Sequence, residues 1–215
     1  MAITRITAPA ITGLTIPNTS INNASLDSVT ALPSAIESPI KLLKTTTITS
    51  TVSSVVFGNG VDGLVFDGTY NTYEIVISDV NIATGGQDLI LQLSDDAGST
   101  FKTADYRSIS TRSGYNGSSA SVDTLSATNA HKILENLDST ATETGFARIF
   151  IDKPSVSNYQ MIQSHGSNRD STTTAYVFDI NTSTFYNASI VCNGFRIMST
   201  SGNILQAVIR VFGIK

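Results

Sequence analysis

This chain of 215 residues has few charged side chains, a single cysteine, no tryptophan and no long apolar run. Aspartate, glutamate, lysine and arginine make up only 14% of the residues, against about 25% in an average globular protein. Basic residues are scattered and the net charge is −4, so we expect no nucleic-acid partner, because phosphate neutralisation needs grouped cations. No apolar stretch approaches the ~18 residues of a membrane-spanning helix, so we expect no membrane insertion.

Cysteine and histidine are too scarce for several common kinds of site. Cys192 is the only cysteine, which excludes an internal disulfide, and the apolar Ile190 and Val191 beside it predict a buried, inert thiol. One cysteine and two distant histidines, His131 and His165, do not form a zinc site. We expect both histidines to be exposed at loop edges, and we expect neither a metal nor a cofactor.

Serine, threonine and asparagine take the place of the missing charges. Hydrophobic residues make up 40% of the chain, which is enough to form a core. This composition predicts an all-β protein with an uncharged polar surface, because threonine, valine and isoleucine suit pleated strands. A low content of charge also suits a chain that buries much of its surface in an assembly.

From about residue 46 onward, short runs of alternating apolar and polar residues are separated by turn residues. About ten strands at hairpin spacing predict an antiparallel two-sheet sandwich, jelly-roll-like, over residues 46–215. Residues 111–128 and 166–172 are predicted loops, and residues 199–203 a hairpin turn. Residues 131–137 are compatible with a strand or a helical turn. The predicted strands are residues 47–57, 70–80, 88–94, 99–108, 145–152, 159–165, 173–181, 188–199 and 204–214.

Residues 1–45 differ from the rest of the chain, since they hold four of its five prolines and no aromatic residue. Their apolar residues follow no sustained period, so the segment cannot form a core by itself, yet it is too apolar for a solvated linker. We predict an extended arm that attaches or oligomerises the protein, as in a homotrimer that buries the arm's apolar side chains between subunits. These side chains are Ile3, Ile6, Ile11, Leu14, Ile16, Ile21 and Leu26.

The stretch from Ser94 to Phe101 has the form Ser-x-Asp-x-Gly-x-Thr-aromatic and resembles the Asp-box, a β-hairpin motif of sialidases. The hairpin needs nothing from catalysis. Asp96 can accept hydrogen bonds from its own turn, Gly98 can adopt a positive φ, Thr100 completes the motif, and Phe101 can anchor the hairpin in a core. We therefore predict a structural turn.

A sialidase would need more than this turn. It would require an arginine cluster, a tyrosine nucleophile with an acidic partner, and an acid, and its propeller would repeat the motif in each blade. This chain contains the motif once. We expect no catalytic residues, and a glycan-acting hydrolase related to the Asp-box sialidases remains the enzymatic alternative.

Three segments, taken in order, resemble small structural proteins of tailed bacteriophages. The first is residues 91–101, followed closely by Tyr106 and Arg107. The second is residues 149–154, an apolar strand that ends in Asp-x-Pro, and the third is the terminal Phe-Gly-Ile-Lys. The resemblance covers about residues 48–215. It implies a β-sandwich, often trimeric, that is displayed on the virion as a tail fibre, an appendage or a capsid decoration, without catalytic residues.

The resemblance and the arm together predict a virion structural protein whose partners are its own copies and other virion proteins. A tail fibre or appendage is the first expectation, and a capsid decoration or cement protein is the alternative. Recognition of a host surface glycan would use loop residues, because aromatic rings stack on sugar faces and amides bind hydroxyl groups. The candidate recognition residues are Tyr115, Asn116, Asn168 and Arg169.

Overall fold

The computed structural model describes residues 38–60, 64–115, 120–140, 144–170 and 177–215, with residues 120–126 described by their backbone alone. The arm side chains from Ile3 to Leu26 and the recognition residue Asn116 lie outside the described residues. Every regular element of the described part is a strand. The strands are β1 (Ile40–Ile48), β2 (Ser54–Gly58), β3 (Thr72–Ile82), β4 (Gln87–Ser94), β5 (Tyr106–Tyr115), β6 (Ala120–Ala127), β7 (His131–Leu137), β8 (Gly145–Asp152), β9 (Asn158–Arg169), β10 (Val177–Ile190), β11 (Gly194–Ser199) and β12 (Ile204–Ile214).

The strands form two antiparallel sheets that pack as a sandwich, which confirms the predicted fold class. The larger sheet has eight strands in the order β1-β12-β3-β8-β9-β10-β5-β6, and the smaller has four in the order β2-β11-β4-β7. In the larger sheet, β5, β8, β9 and β10 alternate buried and more exposed residues along most of their length. The buried side chains face the smaller sheet, and the others form the outer face.

Several strand boundaries differ from the sequence prediction. Within the serine- and glycine-rich residues 111–128, predicted as a loop, residues 111–115 instead form the end of β5 and residues 120–127 form β6, and residues 166–169 extend β9. β1 begins at Ile40, inside the range predicted for the arm, and pairs with β12. Each of these segments gains a hydrogen-bonded neighbour from elsewhere in the chain, and such pairing overrides a weak local strand propensity. The turn at residues 199–203 joins the two sheets rather than closing a hairpin.

One end of the interior is aromatic. Phe57 stacks on Phe195 with ring centroids 5.0 Å apart, and Phe66 contacts Tyr73 at 4.6 Å. Burial of such side chains contributes about 1.5–3 kcal/mol each, so this cluster is a main source of stability. Cys192 is fully buried nearby in the same core, as predicted, and burial raises the pKa of its thiol to about 11.

A second part of the interior is polar and centres on His131. The prediction of an exposed His131 is wrong, because the side chain is fully buried on β7 between the sheets. Its Nδ1 lies 2.8 Å from Thr184 Oγ1 and its Nε2 lies 2.9 Å from Ser164 Oγ. Thr184 donates its hydroxyl hydrogen to Ser108 Oγ at 2.7 Å, so Nδ1–H donates to Thr184 and Nε2 accepts from Ser164. His165 is exposed, but within β9 rather than at a loop edge.

No described residue belongs to a helix long and apolar enough to cross a membrane.

Candidate functional site

The Asp-box-like segment forms a corner between the two sheets. β4 ends at Ser94 in the smaller sheet, where it pairs with β11 and β7, whereas β5 begins at Tyr106 in the larger sheet. The predicted hairpin is therefore wrong, and residues 99–105 belong to no strand. The segment carries the chain from one layer of the sandwich to the other, and its turn chemistry stabilises that crossing.

Asp96 holds the corner through local hydrogen bonds, as predicted. Its Oδ2 accepts from Thr100 Oγ1 at 2.6 Å, and its Oδ1 accepts from Thr100 N at 2.8 Å and from Ser94 Oγ at 2.7 Å. The bonds from Thr100, with a smaller contribution from Ser94, lower the pKa of Asp96 to about 2. Gly98 has the predicted positive φ, at 86°. All of these donors point at the carboxylate from within its own turn.

Phe101 does not anchor the corner in the core. It is half-buried, and its ring centroid lies 4.4 Å from the guanidinium carbon of Arg196. The anchor is the buried Tyr106, whose hydroxyl accepts from Leu93 N at 2.8 Å and donates to Lys102 O at 3.3 Å. The sequence pattern predicts Tyr106 in the far strand of a hairpin. Its role as the anchor of the corner follows only from the position of β4 and β5 in different sheets.

The corner also packs closely on the smaller sheet. A Cβ atom on Gly58 would lie 2.7 Å from Ala97 O, and one on Gly194 would lie 2.9 Å from Phe57 O and 3.0 Å from Gly98 N. Asn193 clamps the corner from the same side, since its Oδ1 accepts from Ala97 N at 2.6 Å. The polar groups of the Asp-box-like motif thus make hydrogen bonds within the fold.

Replacement of Thr100 by valine is expected to raise the pKa of Asp96 from about 2 toward 3.8, because valine removes the hydroxyl donor while the backbone N–H remains. The folded pKa lies below the unfolded one, so the bonds stabilise the fold above pH 3.8, and their contribution is lost as the pH falls toward 2. Carboxyl ¹³C NMR titration measures the shift. Thr100→Ser keeps the hydroxyl and should keep the low pKa; equal values in the two variants would contradict the assignment.

Of the predicted recognition residues that the structure describes, Tyr115 and Arg169 lie at the same end of the larger sheet, since both are opposite Val177 of β10, whereas Asn168 does not join them. Tyr115 is exposed at the end of β5, but Asn168 is a buried strand residue whose Nδ2 donates to the carbonyls of Glu135 and Arg169, both at 2.9 Å. Arg169 is half-buried in β9, with Nη1 3.6 Å from Asp138 Oδ2. Because residues 166–169 form a strand instead of a loop, Asn168 faces the interior and is not available to a ligand.

The outer face of the larger sheet instead carries an open groove of about 410 Å³ across β5, β10, β9 and β8, which we term the outer groove. Asn181 lies opposite Thr111 on β5 and opposite His165 on β9. Gln163 lies opposite Phe150 on β8. These side chains share one face because residues two apart on a strand point the same way. Ile109 and Phe150 supply its apolar walls.

Several polar groups of the outer groove are free to bind a ligand. Within the described part of the chain, Thr111, Gln163 and Ser183 make no side-chain hydrogen bond. Asn181 Nδ2 donates to Asp179 Oδ2 at 3.3 Å, which leaves the Asn181 carbonyl oxygen available. His165 Nε2 lies 2.6 Å from Asp179 Oδ1, so the Asp179 carboxylate accepts from both neighbours.

Charged groups border the outer groove, since the Asp179 carboxylate is bonded to two of its side chains, His165 and Asn181. None of the described residues that line it is lysine, arginine, aspartate or glutamate. At its margin, Arg148 Nε donates to Glu74 Oε1 at 2.7 Å, so that cation is paired. Nowhere among the described residues do three or more histidine, cysteine, aspartate or glutamate side chains converge as metal ligands. The groove therefore offers neutral donors and acceptors beside apolar walls.

No family model, curated protein or solved structure matches this chain.

Proposed function

We propose that this protein is a structural component of a bacteriophage virion, attached to the particle through its N-terminal arm and displaying the β-sandwich. The observation that carries the proposal is the outer face of the larger sheet. Three apolar side chains lie exposed there on adjacent strands: Ile109 is 57% exposed, Met161 45% and Phe185 37%. Phe185 lies opposite Met161. Such a group on one open sheet face is typical of an interaction surface.

The geometry of the Asp-box-like corner favours this proposal over a glycan-acting hydrolase. Glycoside hydrolysis generally uses two carboxyl groups about 5–9.5 Å apart across the scissile bond. In the corner, the Asp96 carboxylate accepts hydrogen bonds from Thr100 and Ser94. In the described lining of the outer groove there is no carboxylate. The residues thus support assembly and recognition better than they support hydrolysis.

Within the virion, we propose a tail fibre or appendage first, with a capsid decoration or cement protein as the alternative. In either case the partners are other copies of the chain, as a homotrimer, and other virion proteins. Immunogold labelling of intact particles separates the two placements, since gold on the tail supports the first and gold on the head supports the second. Absence of the protein from purified particles would refute both.

Deletion of residues 1–38 is expected to abolish incorporation into particles and trimer formation while the β-sandwich stays folded, because Pro39–Lys215 forms a compact unit of its own. Circular dichroism checks the fold, light scattering the mass, and immunoblotting of purified particles the incorporation. Deletion of residues 1–45 provides a contrast, since it removes part of β1 and should also destabilise the sandwich. Incorporation of the shorter deletion, or a monomeric full-length chain at micromolar concentration, would contradict the proposal.

A further inference from the structure

The outer groove lies on the middle of a sheet, and this position limits what can bind there. β9 pairs with both β8 and β10, and β10 also pairs with β5. The backbone groups of these inner strands are therefore used within the sheet, so a peptide cannot bind by adding a strand, which requires a free edge. A ligand has to be recognised by the side chains that project from the face.

Those side chains combine neutral hydrogen-bonding groups with apolar surface. Gln163 and Asn181 contribute amide groups, and Thr111 contributes a hydroxyl, from three strands that are spaced by about 4.8 Å. Phe150 lines the same groove and is half-buried, so part of its ring faces solvent. A ligand that suits this lining carries several hydroxyl groups, which bond to the amides, and an apolar C–H face, which packs on the ring. Binding sites generally combine apolar and aromatic walls with a few polar groups that fix the orientation of the ligand.

The charge of the groove narrows the chemical class of the ligand further. Arg148, at the margin of the groove, is bound by Glu74 with Nη2 and Oε1 2.5 Å apart, and it also lies 5.6 Å from the centroid of Phe150. Arg107 lies on β5 two residues from Ile109 and lines a neighbouring pocket, not the groove itself. Carboxylate and phosphate ligands are recognised by free arginine or lysine, and neither lines the groove within the described residues. An anionic ligand is therefore disfavoured.

We propose that the outer groove binds an uncharged oligosaccharide through Asn181, Gln163 and Phe150. The use of this binding in host-surface recognition rests on the proposed function, whereas the binding itself is a property of the purified chain. A shallow site of this kind buries few ligand atoms, so a dissociation constant of about 0.1–1 mM is expected.

Saturation-transfer NMR on the full-length chain, with lactose, maltotriose, cellotriose and chitotriose as probes, tests the proposal. At least one of these should bind, and more tightly than sialyllactose, because no lysine or arginine lines the groove within the described residues. Asn181→Ala should weaken binding by about 5- to 10-fold, the cost of one hydrogen bond. Asn187→Ala is the matched control, since Asn187 lies exposed on the same strand outside the groove.

A second pair of variants tests the aromatic contact. Phe150→Leu should weaken binding by about 5- to 10-fold through loss of the ring face. Phe146→Leu should not, because Phe146 is exposed on the same strand but does not line the groove. Thermal unfolding of each variant confirms that it is folded. The proposal is overturned if no uncharged probe binds, if sialyllactose binds most tightly, or if the groove variants behave like their controls.

The amount of each variant that enters particles distinguishes failure of the saccharide proposal from failure of the virion proposal. Asn181→Ala should enter particles at the wild-type level, because the groove is used for a saccharide. If Asn181→Ala and Phe150→Leu abolish incorporation, the face is covered by a second copy or another virion protein, and the saccharide proposal is wrong. If saccharide binding is present but the protein is absent from particles, the binding proposal stands and the virion proposal fails.

Discussion

Acidification from pH 7 to pH 4 is expected to destabilise this protein by about 3 kcal/mol through the imidazole of His131 alone. Burial lowers the pKa of His131 to about 3 from the ordinary 6.5. Between these two values the unfolded chain binds one more proton than the folded chain. The free energy of unfolding therefore falls by ~1.4 kcal/mol per pH unit in that window. No loss from this group is expected above pH 6.5, and the loss saturates below pH 3.

Urea unfolding at a series of pH values between 7 and 4 measures this effect. His131→Gln is expected to cost about 1–3 kcal/mol at pH 7, because glutamine cannot fully replace the bonds to Thr184 and Ser164. The variant should also lose the ~1.4 kcal/mol per unit that the imidazole contributes to the pH slope. Asn187→Ala is the control variant, since it changes an exposed strand residue and removes no titratable group. An identical slope in wild type and His131→Gln would refute the assignment.

Gly58→Ala and Gly194→Ala are each expected to destabilise the fold by about 2–3 kcal/mol. The added methyl group would meet rigid backbone, Ala97 O at 2.7 Å in the first case and Phe57 O at 2.9 Å in the second. Neither contact is the end of a flexible side chain. The methyl group of Gly58→Ala forces the corner at residues 94–101 away from the smaller sheet, and that of Gly194→Ala forces β2 to shift as well as the corner, since it also lies 3.0 Å from Gly98 N. Denaturant unfolding of each variant at neutral pH measures the loss.

Two further variants make this prediction specific to the corner. The double variant Gly58→Ala/Gly194→Ala should cost less than the sum of the single ones, because a corner already displaced by one methyl group makes room for the other. Ala97→Gly should have the opposite sign, by up to about 1 kcal/mol, since Ala97 holds a φ of 60° that glycine adopts without steric cost. If the losses of the two glycine variants add strictly in the double variant, or if Ala97→Gly destabilises the fold, the contacts at Gly58 and Gly194 do not limit the position of the corner.

Local features of the fold and of the corner were predictable from the sequence. Two predicted strands, residues 145–152 and 204–214, coincide with β8 and β12, because alternation with a period of two is a property of neighbouring residues. The bonds between Asp96 and Thr100 and the positive φ of Gly98 likewise lie within one turn. The burial of Cys192 followed from its apolar neighbours.

The remaining features depend on strand pairing over long distances. The assignment of β4 and β5 to different sheets turned the predicted hairpin into a corner and replaced Phe101 by Tyr106 as its anchor. Because β9 extends to Arg169, Asn168 lies in a strand and not in the predicted recognition loop. The burial of His131 has the same origin, since its partners Ser164 and Thr184 lie on β9 and β10, far away in the chain.

The sequence by itself determined that this protein is a β-sandwich with little charge and that the Asp-box-like turn is held by its own hydrogen bonds. Only the tertiary structure decided where the polar residues meet. Thr111, Gln163 and Asn181 come together on one face because the register of three strands aligns them. That register is set by the pairing of the whole sheet, and no local pattern in the chain encodes it.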